Sequence, residues 1–457
     1  MAGTANASVI GSSLRLHANS DITVGNLTAT SVGIVSEHGA IINAACSSKN
    51  VMATNLSLKS YGSIGTPDRL LTTKVEFLSA DPVIDRAGIY LTEDDDVTIT
   101  SVTVSVSEIT AIAGLVPVSD QSLSDLVTSS NGSIVLVTIN GSITLKDGDG
   151  NSFAISANGT CRVQLEANGT NKGIIVNAGI ETGSGEVTLF ASDNVEQHAD
   201  IIFSGNTVSV QSEQGSIKMD QGVQTLNSNG VIEYHSYKDV VLALLHAEAG
   251  AVAVYADTGS ISSSSGDLNV QSESALFQAG VNVGLRNIQP LLLSVDRVAA
   301  DAKKGGMSII NEGAIRVSLI NDMDGLAAGD GISLESLKGN IIVSAPINTK
   351  GYKDAFLTFP EGSLEGGSVY FDDAGNSLKV KYKQFQFLWN IEQVTFIPPQ
   401  LELVVDMQAD ASAQLRQRSA TAAVDRDVMQ SVREGLQDPQ AVHGAYADVR
   451  NGNVYFH

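Results

Sequence analysis

The sequence predicts an all-β protein: a parallel β-helix (β-solenoid) over residues 1–384, followed by a small C-terminal helical or irregular segment over 385–457. Three observations lead there. Short runs of alternating apolar and polar residues recur along the chain, each opened by Gly, Asn or Asp. The runs return at a coil-sized period. The 457 residues include 43 Gly but only 5 % aromatics, which suits repeated turns around a narrow interior of Val, Ile, Leu and Ala.

The runs are short enough to read one by one. They include Asp21-Ile22-Thr23-Val24, Asn55-Leu56-Ser57-Leu58 and Asp96-Val97-Thr98-Ile99, then Gly141-Ser142-Ile143-Thr144-Leu145, Gly185-Glu186-Val187-Thr188-Leu189 and Gly215-Ser216-Ile217-Lys218-Met219. Alternation of this kind marks a strand with one buried face, and the Gly and Asn positions supply turns. Strand centres at Val208, Ile217, Ile232, Val241, Val252 and Ile261 lie alternately about 9 and about 11–15 residues apart. Two steps therefore total about 20–24 residues, one coil of a parallel β-helix. Coils stacked about 4.8 Å apart bury one apolar row per face. The competing fold, a tandem immunoglobulin-like array, needs regular hairpins and a period of roughly 100 residues.

A longer repeat overlies the coils. Apolar positions Leu71, Val75, Leu78 and Ala80 map on Leu291, Val295, Val298 and Ala300 at an offset of 220. After an intervening loop, Glu93 and Val97 fall on Asn311 and Ile315 at an offset of 218. Gly132-Ser133-Ile134 with Gly141-Ser142-Ile143 recurs as Gly331-Ile332-Ser333-Leu334 with Gly339-Asn340-Ile341. The pattern reads as two diverged passes of a unit near 200 residues.

The character changes near residue 385. Phe385, Phe387, Leu388 and Trp389 form an aromatic cluster, and Pro398-Pro399 interrupts the strand pattern. Apolar spacing beyond Met407 predicts a helix near 407–436, with Arg416, Arg418, Arg426 and Arg433 on it. Two readings stay open: a cap over the last coil, whose strand edges would otherwise be unpaired, or an attachment and self-association segment.

The stretch from Leu56 to Ile99, with its Gly62-Ser63-Ile64-Gly65, Leu71-Thr72-Thr73-Lys74-Val75 and Gly88-Ile89-Tyr90, resembles the repeat of large filamentous-haemagglutinin-like bacterial adhesins. Gly205-Asn206-Thr207-Val208-Ser209-Val210 and the Gly-Ser-Ile-Lys-Met that follows at 215–219 are similar to their strand–turn units. The resemblance spans roughly residues 10 to 375 and departs at Ala279–Gly284, where Gly-Ser-Ile-Gly is not intact. It implies a right-handed parallel β-helix, secreted or displayed on a cell surface. It also implies an adhesive role, with a glycan or protein on a host or neighbouring cell as partner. No catalytic residue carries over from it.

Charge narrows the function classes. Fifty acidic against 27 basic residues give a formal charge of −23 and an acidic pI near 4.5, opposite to what phosphate neutralisation requires. Neither a nucleic acid nor an anionic membrane is an expected partner, and no run approaches the roughly 20 apolar residues of a membrane span. The N-terminus shows neither the basic nor the apolar region of a signal peptide. The expectation is a cytoplasmic protein or a piece of a larger exported one. Cys46 and Cys161 lack metal-ligand spacing and read as small buried hydrophobes, with pairing as the alternative.

Candidate chemistry is sparse. Asp147, Asp149 and Asn151, in Lys146-Asp147-Gly148-Asp149-Gly150-Asn151, form the candidate calcium loop, since hard cations take several oxygens on a Gly-permitted turn. The EF-hand continuation to a Glu at position twelve is missing, so a solvated turn is the simpler reading. Glu93-Asp94-Asp95-Asp96 reads as an acidic turn at a strand entrance. His198, His235 and His246 read as isolated. A β-helical polysaccharide lyase or hydrolase, the enzymatic rival, needs convergent carboxylates or placed Arg and Lys; the body's arginines are scattered. The expected function is a non-enzymatic extracellular stalk whose contacts fall at loops near Asp81–Arg86, Ala302–Gly305 and Lys350–Gly366. A carbohydrate-active enzyme and a self-assembling filament subunit are the alternatives.

Overall fold

Inward rows of Val, Ile and Leu, repeated coil after coil, lead to stacked parallel strands, and the computed structural model shows them. It describes residues 6–44, 48–109, 114–285, 288–350, 355–359 and 362, together with strands Leu364–Glu365, Ser368–Tyr370, Ser377–Tyr382, Thr395–Ile397, Glu402–Met407, Tyr446–Arg450 and Asn453–Phe456. Among the described residues there is no helix. Two compact units, Met1–Tyr237 and Lys238–His457, make up the chain, and each is a parallel β-solenoid.

In the first unit one wall stacks Val163–Ala167, Val187–Ala191, Thr207–Ser212 and Val231–Ser236 in parallel register. Val163, Val187, Val208 and Ile232 form one buried row and Leu165, Leu189, Val210 and Tyr234 the next. A second wall stacks Ile174–Val176, Val195–Gln197 and Ile217–Met219. The third stacks Gly179–Thr182, Ile201–Phe203 and Gln224–Asn227. The coils over residues 134–227 thus have three strands each, not the two that alternation indicated. Strands such as Ile201–Phe203 and Gln224–Asn227 are too short, or too polar, to carry a period-two signal. The corners are tight: at Gly185 a Cβ would lie 1.8 Å from the Cys161 carbonyl oxygen of the preceding coil. Cys161 is a free, half-buried thiol on that corner, against the expectation of a buried hydrophobe, because it lies in the turn between strands rather than in an apolar row. Cys46 lies outside the described residues.

The second unit stacks Leu244–Ala256, Val270–Ala279 and Leu291–Ala302. The wall of Met307–Asn311 then continues through Ile332–Ser336, Ala355–Thr358, Ser377–Tyr382 and Glu402–Met407, all parallel. Parallel pairing thus runs past residue 384. Tyr446–Arg450 then pairs antiparallel with Glu402–Met407 and with Asn453–Phe456. The helix expected near 407–436 lies, beyond Met407, outside the described residues.

The long repeat has a structural counterpart in a branch point. Leu71–Pro82, a 12-residue strand, is covered on the next coil by three separate strands. Ile89–Glu93 pairs with Leu71–Thr73, Val97–Ile99 with Phe77 and Leu78, and Leu126–Thr128 meets Ala80. Leu291–Ala302, also 12 residues, is covered in the same way by Met307–Asn311, Ile315–Val317 and Leu326–Ala328. The offset then falls from 218 to 200. A hairpin, Ser105–Ile109 with Leu115–Ser119, stands in the first branch where the second has only Leu319–Ile320 with Met323–Asp324. Arg15 Nε donates to Asp120 Oδ1 at 2.7 Å and ties the foot of the longer hairpin to the strand Ser13–Ala18.

Branching leaves a gap in the ladder, since the N–H of Val75 falls between two partner strands. Glu93, at the end of the covering strand, turns inward and fills it. Its Oε1 accepts from the N–H of Val75 at 3.0 Å and of Asp94 at 2.9 Å, and its Oε2 accepts from the Thr73 hydroxyl at 2.6 Å. Asn311 does the same in the second branch: its Oδ1 accepts from Val295 N–H at 3.0 Å, and its Nδ2 donates to the carbonyls of Val295, Gly313 and Ala314. Both side chains are buried. Asn50 and Asn269 are a second such pair. Asn50 donates to the carbonyl of Val24 and accepts from Thr72 N–H; Asn269 donates to that of Leu242 and accepts from Leu292 N–H.

Candidate functional site

The turn before Phe153–Ala157 folds the Asp147 region back on itself. Asp147 Oδ1 accepts from the N–H of Asp149 at 3.0 Å and of Gly150 at 2.6 Å, while its Oδ2 accepts from Ser152 N–H at 2.8 Å. These donors hold its carboxyl below the usual carboxylate range. Asp149 Oδ1 accepts from Asn151 N–H at 3.1 Å. One coil earlier in the ladder, Asp125 sits at the entrance of Leu126–Thr128 with φ +66, a conformation Asp tolerates better than most residues. It is 2 % exposed, its Oδ1 accepts from Gly148 N–H at 3.2 Å, and its Oδ2 accepts from the Ser124 hydroxyl at 2.7 Å.

Carboxylate oxygens of Asp125, Asp147 and Asp149 thereby lie within 4.8 Å of one another. Burial, with the charges of Asp149 and Asp147 adding to it, pushes the Asp125 carboxyl up to about 6. Asp147 and Asp149, both read from the sequence, come together with a third residue that sequence spacing missed, because coil stacking brings a residue 22 positions earlier beside them. The side chain of Asn151 is used locally, with its Oδ1 accepting from Phe153 N–H at 2.6 Å. Chemically the three oxygens can hold a hard cation, or keep one proton beside two charged carboxylates, the arrangement of an acid next to a base.

The other candidates resolve differently. The run Glu93–Asp96 splits: Glu93 faces inward, and the aspartates are neutralised by lysines from neighbouring coils. Lys74 lies 2.9 Å from Asp95, Lys172 lies 2.8 Å from Asp96, and Lys49 pairs with Asp94. His198 is not isolated. Its Nδ1 lies 2.6 Å from Asp220 Oδ2 and its Nε2 3.4 Å from Glu196 Oε2, one partner two residues away and the other on the next coil. Inside the same coils a polar network replaces apolar contact. Tyr234 OH donates to Gln197 Oε1 at 2.6 Å and lies 2.7 Å from Thr225 Oγ1. Burial pushes the Tyr234 hydroxyl well above its ordinary value. Of the expected contact loops, Val83 and Ile84 are exposed, Ala302 is buried within its strand, and much of Lys350–Gly366 lies outside the described residues.

The class is thus a parallel β-solenoid that, among the described residues, gathers three carboxylates on a coil corner of its first unit. No family model, no curated protein and no solved structure matches this chain.

Proposed function

We propose that the chain is a structural and adhesive stalk module of a large bacterial surface or secreted protein, as its resemblance to filamentous-haemagglutinin-like adhesins implies. The observation that carries this reading is the continuous register of two walls of the first unit. Ile143, Ile174, Val195 and Ile217 follow one another on four coils with no shift, as do Val163, Val187, Val208 and Ile232. Parallel strands hydrogen-bonded along the stacking direction, with a continuous apolar row behind them, resist bending and place loops at fixed intervals. The strongly acidic composition keeps such a surface soluble and discourages lateral sticking.

A second reading, a carbohydrate-active enzyme, is favoured by the Asp125, Asp147 and Asp149 cluster alone. The two separate in one experiment: a glycan-binding array run beside an assay for new reducing ends and unsaturated uronates. The stalk reading expects binding or no signal on the array and no turnover. Turnover of any acidic glycan that Asp125→Asn or Asp149→Asn abolishes would overturn it.

A further inference from the structure

The two branch points carry the same surface groove with different chemistry. In the first unit a hollow of about 320 Å³ is lined by Thr54, Lys74, Glu76, Asp95 and Asp96. In the second unit the equivalent hollow, about 370 Å³, is lined by Glu273, Asp296, Arg297, Ile315, Arg316 and Ile342. Thr54 and Glu273 correspond at an offset of 219, and Glu76 and Asp296 at 220. The first groove is electrostatically closed, since Lys74 is committed to Asp95 and Asp94. The second is open.

Arg297 and Arg316 are directly paired positions on adjacent parallel strands, so their backbones lie about 4.8 Å apart and both side chains leave on the same face. Phe77 and Thr98 are the paired positions in the first unit. Two guanidinium groups side by side repel. Yet among the described residues neither has an ion-pair partner, and Arg316 Nη1 donates to Ser344 Oγ at 2.8 Å. Most N–H donors of these two forked guanidinium groups are therefore left for a ligand, in a protein that is otherwise strongly acidic. Forked donors of this kind match a planar carboxylate. Glu273 and Asp296, exposed in the same groove, repel a dense polyanion but accept hydrogen bonds from hydroxyl groups.

We propose that this groove binds a carboxylated sugar residue, with its carboxylate between Arg297 and Arg316 and its hydroxyls donating to Glu273 and Asp296. The volume suits one or two sugar rings, at the small end of ligand sites. The inference rests on the adhesive reading and names its ligand class.

The test is a titration of the full chain with tri-galacturonate, followed by calorimetry and by NMR of the arginine side chains. Neutral galactotriose, inorganic sulfate and a glutamate-rich peptide serve as comparison ligands. The expected result is saturable binding of the uronate, weakened at least tenfold by Arg297→Gln or Arg316→Gln and several-fold by Arg297→Lys, with Lys74→Gln in the first groove without effect. These exposed side chains leave the core intact, and unchanged thermal unfolding of each variant verifies it. Equal binding of galactotriose, binding of sulfate or peptide in preference to the uronate, no binding, or insensitivity to both arginine variants overturns the proposal. None of these outcomes touches the stalk reading, which turnover overturns.

Discussion

Replacing Glu93 by Asn moves into the first branch the side chain that holds the same place in the second. In the wild type, burial outweighs the donors from Thr73, Val75, Asp94 and Asp95 and pushes the Glu93 carboxyl up from 4.5 to about 7. A carboxyl raised on folding holds its proton longer in the folded than in the unfolded chain. Stability is therefore full below pH 4.5 and is lost as pH rises from there through about 7. The interval corresponds to about 3 kcal/mol between pH 4.5 and pH 8. Asn does not titrate, so Glu93→Asn should flatten this part of the pH dependence, whatever fixed cost the shorter side chain adds. Solenoids open in parts, and the decisive assay is therefore local: hydrogen exchange at the Val75 amide, corrected for intrinsic rate. Between pH 4.5 and 8 wild-type protection should fall by about two orders of magnitude relative to the variant. Fraying elsewhere in the solenoid would not touch this comparison, because both proteins share it. Equal pH dependence within threefold would refute the claim that Glu93 is a buried, proton-holding filler of the ladder gap.

Three further outcomes follow from the packing. Tyr234→Phe removes the hydroxyl that joins Gln197 to Thr225 inside the first unit and should cost about 1–3 kcal/mol by urea unfolding, because the remaining polar groups stay buried. Gly65→Ala and Gly284→Ala should each destabilise by more than about 1 kcal/mol in thermal unfolding, since both residues have φ near the left-handed region. There a Cβ would come 2.3 Å from Tyr90 O and 2.2 Å from Ser308 O respectively. Asp149→Asn removes a charge that helps raise Asp125 and should bring the Asp125 carboxyl down from about 6, as measured by carbon-detected NMR titration. An unchanged or higher value would mean that the two side chains do not face each other in solution.

Much of the fold is legible in the sequence. Val187, Ile217 and Ile261 announced their strands because inward and outward positions alternate, and a strand buried on one face must alternate. The correspondence of Glu93 with Asn311 was also readable from position alone, though not its meaning. A carboxylate and an amide in matching places look like surface drift until the branch shows a shared N–H to be satisfied. The third strand of the coils over residues 134–227 leaves no signal in the sequence, because three residues such as Ile201, Ile202 and Phe203 hold no period. The candidate site was half legible: Asp147 and Asp149 lie in one turn, whereas Asp125 reaches them only through stacking.

The division between the two sources has a physical basis. Local properties of the chain, namely turn-forming Gly and Asn, alternating β runs and a coil-sized spacing, are sufficient to specify an all-β solenoid, since each coil repeats the same local problem. Which residues meet across coils depends on register, and register depends on the exact number of residues in every turn and bulge. Arg297 beside Arg316, His198 beside Asp220, and Asp125 beside Asp147 are therefore decided only when the strands stack, because one residue more or less in an intervening turn would place each pair on different faces.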